Sequence, residues 1–244
     1  MALRVGCDLD GVLADMDAEL LRVAETLFGD GVRRQQRDPA SADEAAGSDP
    51  PVEPPPEAAP SLGRLQLTPR QQSKLWRHVQ AIENFWETLA ELEPGAIARL
   101  AGVAEARRWE IIFLTKRPQT VGATAQVQSQ RWLQVKGYPL PSVYVVQGSR
   151  GRIADSLDLD VVVDDRPENC LDVVADSKAR AMLVWRGDES ALPASTRTVG
   201  IGVVKSVGEC LDVLTKVDVS APEQSGLMTR VMRALGLKEP AQQP

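Results

Sequence analysis

From Pro94 onward the chain repeats one unit: a short, almost wholly apolar run, a polar residue or acid at its end, then a segment whose apolar residues recur with helical period. The runs cover 111–115, 143–147, 161–164 and 181–185, and residues 3–8 open the chain with a fifth. Between them, helical periods are predicted near 96–107, 120–136 (stopped by Gly137), 150–157, 168–175 and 207–214, the last behind a Ser206/Glu209 capping box. Strand and helix alternation of this kind predicts a parallel sheet wrapped on both faces, because right-handed crossovers place the helices there. The expected fold class is therefore a three-layer, Rossmann-like α/β core.

Residues 16–93 interrupt that pattern after the first strand. A helix over 17–28 carries Leu20, Leu21, Ala24, Leu27 and Phe28 on one face. A second, over 69–92, carries Leu75, Val79, Ile82, Phe85, Trp86 and Leu89, with Thr68 as its N-cap, Pro69 at the first helical position and Gln71 completing a capping box. Together they read as a small helical lobe. Between them, residues 35–63 hold seven prolines and many Ala and Ser, a composition that buries no core and predicts a disordered insert. The tail from 217 to 244 reads as a polar linker followed by an amphipathic helix with Leu227, Met228, Val231, Met232 and Leu235. The expected units are a core of 1–15 with 94–216, a lobe of 16–93, and the tail.

Charge narrows the function. The net charge of −6 has a local source, since residues 38–61 hold six acids and no base, leaving 28 acids against 28 bases elsewhere. With no basic excess and 4% aromatic residues, a polynucleotide partner is not expected, although a single nucleotide fits as a ligand. No run approaches the roughly 20 apolar residues of a bilayer span, and no cleavable leader is apparent, so a cytoplasmic protein is expected. Cys7, Cys170 and Cys210 lie far apart without metal-site spacing and read as reduced, buried residues. His78 is the one histidine, which excludes polyhistidine zinc sites and leaves carboxylates as the chemistry-bearing groups.

Open α/β sheets bind ligands at the carboxyl ends of their strands. That rule selects Asp8 and Asp10 after the first strand, Thr115, Lys116 and Arg117 after the second, Gly148 to Arg150 after the third, and Asp164 with Asp165 after the fourth. Asp8 and Asp10 stand two apart, on one face of extended chain, with Gly11 free to turn the backbone away. Carboxylates this close repel unless a cation lies between them, and oxygen-only ligation suits Mg²⁺. Asp164-Asp165 closes a wholly apolar strand, though Asp165 or Pro167 could instead begin the next helix. Thr115 offers a hydroxyl and the following backbone N–H groups to phosphate oxygens, or serves as a plain helix cap. Ser149 looks like a helix start, placing Arg150 where anions are favoured.

In this order the pieces resemble the haloacid dehalogenase superfamily of phosphohydrolases. Asp8-Leu9-Asp10-Gly11-Val12-Leu13-Ala14-Asp15, the helical insertion, Phe85-Trp86 and Pro94-Gly95-Ala96 are similar more narrowly to the 5′(3′)-deoxyribonucleotidases. The resemblance covers about residues 3 to 186 apart from the insert. It implies Asp8 as nucleophile, giving an aspartyl-phosphate, and Asp10 as general acid and then base. It implies Mg²⁺ held by Asp8, the Asp10 carbonyl and Asp164, supported by Asp165, with Thr115 on a phosphate oxygen. Where the family carries a lysine, this chain has Gly148-Ser149-Arg150-Gly151-Arg152, so Arg150 is the match and Lys116 the other cation at hand. The insertion takes the place of a small cap, in which Phe85 and Trp86 could stack on a base, ordinary helix packing being the alternative reading for both and the preferred one for Phe85. The implied substrate is a nucleoside monophosphate. A sugar phosphate or other small ester, phosphoryl transfer to a second substrate, and a scaffold that binds without turnover are the alternatives.

Overall fold

In the computed structural model, which describes residues 2–29, 65 and 67–219, the first strand lies in the interior of a six-stranded sheet. The strands are β1 (Arg4–Asp8), β2 (Glu110–Thr115), β3 (Ser142–Val145), β4 (Val161–Asp164), β5 (Arg180–Val184) and β6 (Gly202–Val204), in spatial order β3-β2-β1-β4-β5-β6 and parallel throughout. The chain winds outward from β1 to β3 and then returns to β4 on the other side. The loops leaving β1 and β4 therefore part from each other, and this is where an open α/β sheet forms its crevice.

The helices follow from local signals. α1 (Met16–Phe28) starts where the Asp15 carboxylate accepts from the Ala18 N–H at 3.0 Å. α2 (Pro69–Ala81) starts at the capping box of Thr68 and Gln71, as expected. α3 (Ala96–Arg107) precedes β2, and α4 (Ala125–Val135) is capped by Thr124. α5 (Arg150–Ser156) is capped by Ser149, α6 (Pro167–Asp176) begins on its proline, α7 (Ala194–Thr198) leads into β6, and α8 (Val207–Val219) closes the described chain. Helices cover both faces. Val161 and Val163 of β4 belong to one cluster with Ile97 and Leu100 of α3 and Leu211 of α8, whereas Val162 joins the other with Cys170 and Val173 of α6. Three consecutive enclosed valines, each contributing roughly 1.5–3 kcal/mol relative to exposure, need a sheet covered on both sides. The buried residues of α1 and α2, among them Leu20, Leu75 and Trp76, belong to the first of these clusters.

Three expectations need correction. The second helix of the lobe ends at Ala81 rather than running to residue 92. Asn84 takes a left-handed conformation, donates its N–H to the Val121 carbonyl at 2.8 Å and accepts from the Ala123 N–H at 2.9 Å, and a single 3₁₀ turn, Phe85–Glu87, follows. Ile82, Phe85, Trp86 and Leu89 keep a helical spacing but pack as parts of a turn, because these tertiary hydrogen bonds override the local period. For the same reason α4 begins at Ala125, since 121–123 are engaged by Asn84. α8 continues to Val219, past the predicted end at 214. β6 and α7 are additional elements. The insert at 35–63 and the amphipathic stretch at 227–235 lie outside the described residues. Among the described residues no helix is long and apolar enough to cross a membrane.

Candidate active site

Asp8 ends β1 with its side chain almost wholly enclosed, and Asp164 ends the neighbouring β4 fully buried. Arg150, the first residue of α5 and 3% exposed, donates Nη2 to Asp8 Oδ1, while its Nε stands 3.6 Å from Asp164 Oδ2. The helix is held in place behind it. Ser149 Oγ donates to Asp172 Oδ2 of α6 at 2.9 Å, and Gly151 donates its N–H to the same oxygen at 3.1 Å. A Cβ on Gly151 would fall 2.2 Å from the Asp172 carbonyl, so glycine is what lets α5 lie this close to α6. Arg150 nevertheless keeps two buried donors, Nε and Nη1, without a hydrogen-bond partner among the described residues.

A buried guanidinium with orphan N–H groups at a strand end is chemically suited to an anion, since leaving such donors unmet is costly. The carboxylates opposite are grouped closely enough to hold a cation. Asp8, Asp164 and Asp165 each bring an oxygen within 4.8 Å of the others. Asp165 reaches this position across Gly11, whose φ is +86° and whose missing Cβ would fall 2.2 Å from Asp165 Oδ2. Asp164 is aimed by the Arg166 N–H at 2.9 Å and by Asn169 Nδ2 at 3.0 Å from each oxygen. Burial pushes the Asp8 carboxyl well above the usual carboxylate range; Arg150 opposes this, and Asp164, Asp165 and Asp10 add to it. Burial raises Asp164 as well, against Arg150, the Arg166 N–H and Asn169. Three clustered carboxylate donors fit a hard, oxygen-seeking divalent ion such as Mg²⁺.

Asp10 turns the other way. Its carboxylate lies outside the triad and accepts from Thr115 Oγ1 at 3.1 Å and from Arg117, through Nη2 at 2.8 Å and Nε at 3.0 and 3.1 Å. Thr115 is fully buried at the end of β2 and also accepts the Arg117 N–H at 3.3 Å. Trp86 is fully enclosed, with its ring 5.1 Å from the Arg117 guanidinium carbon, its Nε1 on the Pro118 carbonyl at 2.9 Å, and Phe85 edge-on at 5.0 Å. In this conformation it meets Arg117, and no open face is left for a base to stack on. Lys116 is half-buried and makes no hydrogen bond or ion pair among the described residues.

The structure thus gathers Asp8, Arg150, Asp164 and Asp165 around one point, with Asp10, Thr115 and Arg117 as an adjoining group. Four further residues complete the frame: Asn169, Ser129, Glu93 and Arg186. Arg186, just beyond β5, donates Nη1 to the Gly11 carbonyl at 2.6 Å and Nη2 to the Val12 carbonyl at 3.2 Å and Glu93 at 2.6 Å. Glu93 in turn accepts the Val207 and Gly208 N–H groups at the start of α8, at 2.9 and 3.1 Å. The strand-end rule extends to Arg186, which follows an apolar run; nothing in the local sequence marks Asn169, Ser129 or Glu93.

The cysteines take no part. Burial pushes the Cys210 thiol up to about 12 and raises Cys7 and Cys170 as well, so none is a ready nucleophile.

No protein-family model and no curated protein matches the chain. Among solved structures it is similar to a haloacid dehalogenase-like family hydrolase from Xanthomonas campestris, with a TM-score of 0.48 and 12% identity, over 92% of this chain and 100% of that one.

Proposed function

We propose that this protein is a Mg²⁺-dependent phosphomonoester hydrolase of the haloacid dehalogenase type, with Asp8 as covalent carrier. The observation that supports it most is the pairing at Asp8 itself: a buried arginine with two unmet donors on one side, and three converging carboxylates on the other. A dianionic phosphate beside a divalent cation satisfies both.

Asp8 attacks phosphorus, and an O–P bond forms as the bond to the ester oxygen breaks. Asp10 gives its proton to the departing alkoxide. Water then attacks phosphorus, Asp10 takes a proton from it, and Asp8 leaves as carboxylate. Arg150 and the Thr115 hydroxyl hold phosphate oxygens, with Lys116 near enough in sequence to serve the same group. Asp8, Asp164, Asp165 and the Asp10 carbonyl would hold Mg²⁺, which would supply charge neutralisation on the transferring phosphoryl. In this reading residues 16–93 act as a small cap over a core of 1–15 and 94–216.

A nucleoside monophosphate is the first substrate to try. The enclosure of Trp86 favours a second reading, a smaller ester such as a sugar phosphate, because it withdraws the expected stacking surface. The test is phosphate release from a panel of ribo- and deoxyribonucleoside monophosphates and sugar phosphates, with Mg²⁺ and with EDTA, beside Asp8→Asn. Metal-dependent release that vanishes in the variant is expected. Release from no compound, with Mg²⁺ still bound, would replace the hydrolase with a scaffold that binds without turnover.

A further inference from the structure

Arg117 is the most tightly confined cation of the site. Its side chain has no exposed surface. The edge formed by Nε and Nη2 is taken up by Asp10, while Nη1 donates to Ser129 Oγ at 2.9 Å. That hydroxyl donates onward to the Ala125 carbonyl at 2.7 Å, so the arginine is moored to the first turn of α4. Its planar group also lies near two indoles, 5.1 Å from the Trp86 ring and 5.5 Å from the Trp132 ring. Each ring is itself pinned, Trp86 to the Pro118 carbonyl and Trp132 to the Leu89 carbonyl at 2.7 Å. Turning this guanidinium toward a phosphate would break all of these contacts together. Among the described residues Asp10, in contrast, has no other charged partner: each cationic contact to its carboxylate comes from Arg117, with the Thr115 hydroxyl beside it.

We infer that Arg117 is a positioning residue for Asp10, fixing the carboxylate that handles the leaving-group proton, and that it does not bind the phosphate. The inference rests on the hydrolase reading above. A planar fork fixes both oxygens of a carboxylate at once; a lysine ammonium in the same place cannot. Trp86 then bears on the reaction through Arg117.

The test compares kcat/KM for two esters of the same phosphate: p-nitrophenyl phosphate, whose leaving group departs without a proton, and the best alkyl phosphate of the panel, whose alkoxide needs one. Arg117→Lys is expected to lower the alkyl ester about 100-fold and the aryl ester by less than about fivefold. Ser129→Ala, which removes one mooring and leaves the arginine, should move the ratio in the same direction by about threefold. If Arg117→Lys does not fold, Ser129→Ala decides. Asp10→Asn should show the same split, and adding Arg117→Lys to it should change neither ester by more than about twofold. An equal fall for both esters, or a KM that rises for both at unchanged kcat, would overturn the positioning role and return Arg117 to the phosphate. If the unmodified protein hydrolyses neither ester, the hydrolase reading falls first, and this role with it.

Discussion

The site contains two buried arginine–aspartate pairs, and they are built to opposite rules. Arg117 and Asp10 satisfy one another: the fork is engaged, the remaining nitrogen has Ser129, and two indoles lie against the plane. Arg150 and Asp8 are left incomplete. Arg150 touches Asp8 through a single nitrogen, stands off from Asp164, and keeps two donors unmet, while Asp8 shares its surroundings with two further carboxylates. Both arginines are equally buried, so exposure does not explain the contrast. A pair whose donors are all met holds a side chain still; a pair whose arginine keeps unmet donors among the described residues can take up a further ligand. The first arrangement suits an acid–base group that must not move, the second a phosphate and its metal ion.

Breaking the open pair should have the largest effect. Arg150→Ala is expected to lower kcat/KM by about 10²–10³, as for loss of one preorganised donor to a developing charge, whereas Arg150→Lys, which keeps a point charge, should recover most of it. The same lysine exchange at Arg117 should be far less forgiving for alkyl esters. Steady-state kinetics on the four forms decides, and equal tolerance at both positions would erase the distinction. Next comes Gly11→Ala, which meets the Asp165 carboxylate and also forces a left-handed backbone on a side chain. It should cost about 1–3 kcal/mol in denaturant unfolding and weaken Mg²⁺ binding by calorimetry, while leaving the Arg117–Asp10 group intact.

A third pair, Arg186 with Glu93, tests the rule near the surface. Burial alone would raise the Glu93 carboxyl, but the Val207 N–H, Arg186 and the Gly208 N–H bring it below its usual value. Because the folded value lies below the unfolded one, the stabilisation is present at neutral pH and is lost as pH falls through the folded value. Glu93→Gln should therefore cost about 1 kcal/mol at pH 7, after allowance for its exposure, and the two forms should converge in acid. Chemical denaturation at several pH values checks this. Smallest of all, alkylating reagents at neutral pH should label none of the three cysteines in the folded protein, and Cys→Ser exchange should not abolish turnover.

How much of this was legible in the sequence follows from what each feature needs. An apolar run such as 161–163 has few stable settings besides a strand covered on both faces, and an acid at its end then lies on the ligand-binding edge. Asp8, Thr115, Arg150, Asp164 and Asp165 could all be placed that way. β6 could not: three residues, Gly202–Val204, are too short to show a period. The end of α2 was hidden because Phe85 and Trp86 keep helical spacing, and only the contacts of Asn84 with residues 121–123 break the helix. The partner of Asp10 was hidden because Arg117 lies 107 positions away, and strand-end position alone assigns it equally well to a phosphate. Pairing is a property of the folded crevice, and spacing reports little of it.

The Arg186 contact has a consequence for how the molecule assembles. The turn that carries Asp10 and Gly11 precedes the rest of the site along the chain, yet its carbonyls are met by a side chain 175 residues later. Closing so large a loop waits on the strands between, because its entropic cost is recovered only once β4 and β5 have paired. The first segment of the site to be made is thus among the last to be set, and a chain halted before β5 lacks the Arg186 contacts that meet the Gly11 and Val12 carbonyls. The geometry of the candidate site is timed by a residue that follows β5.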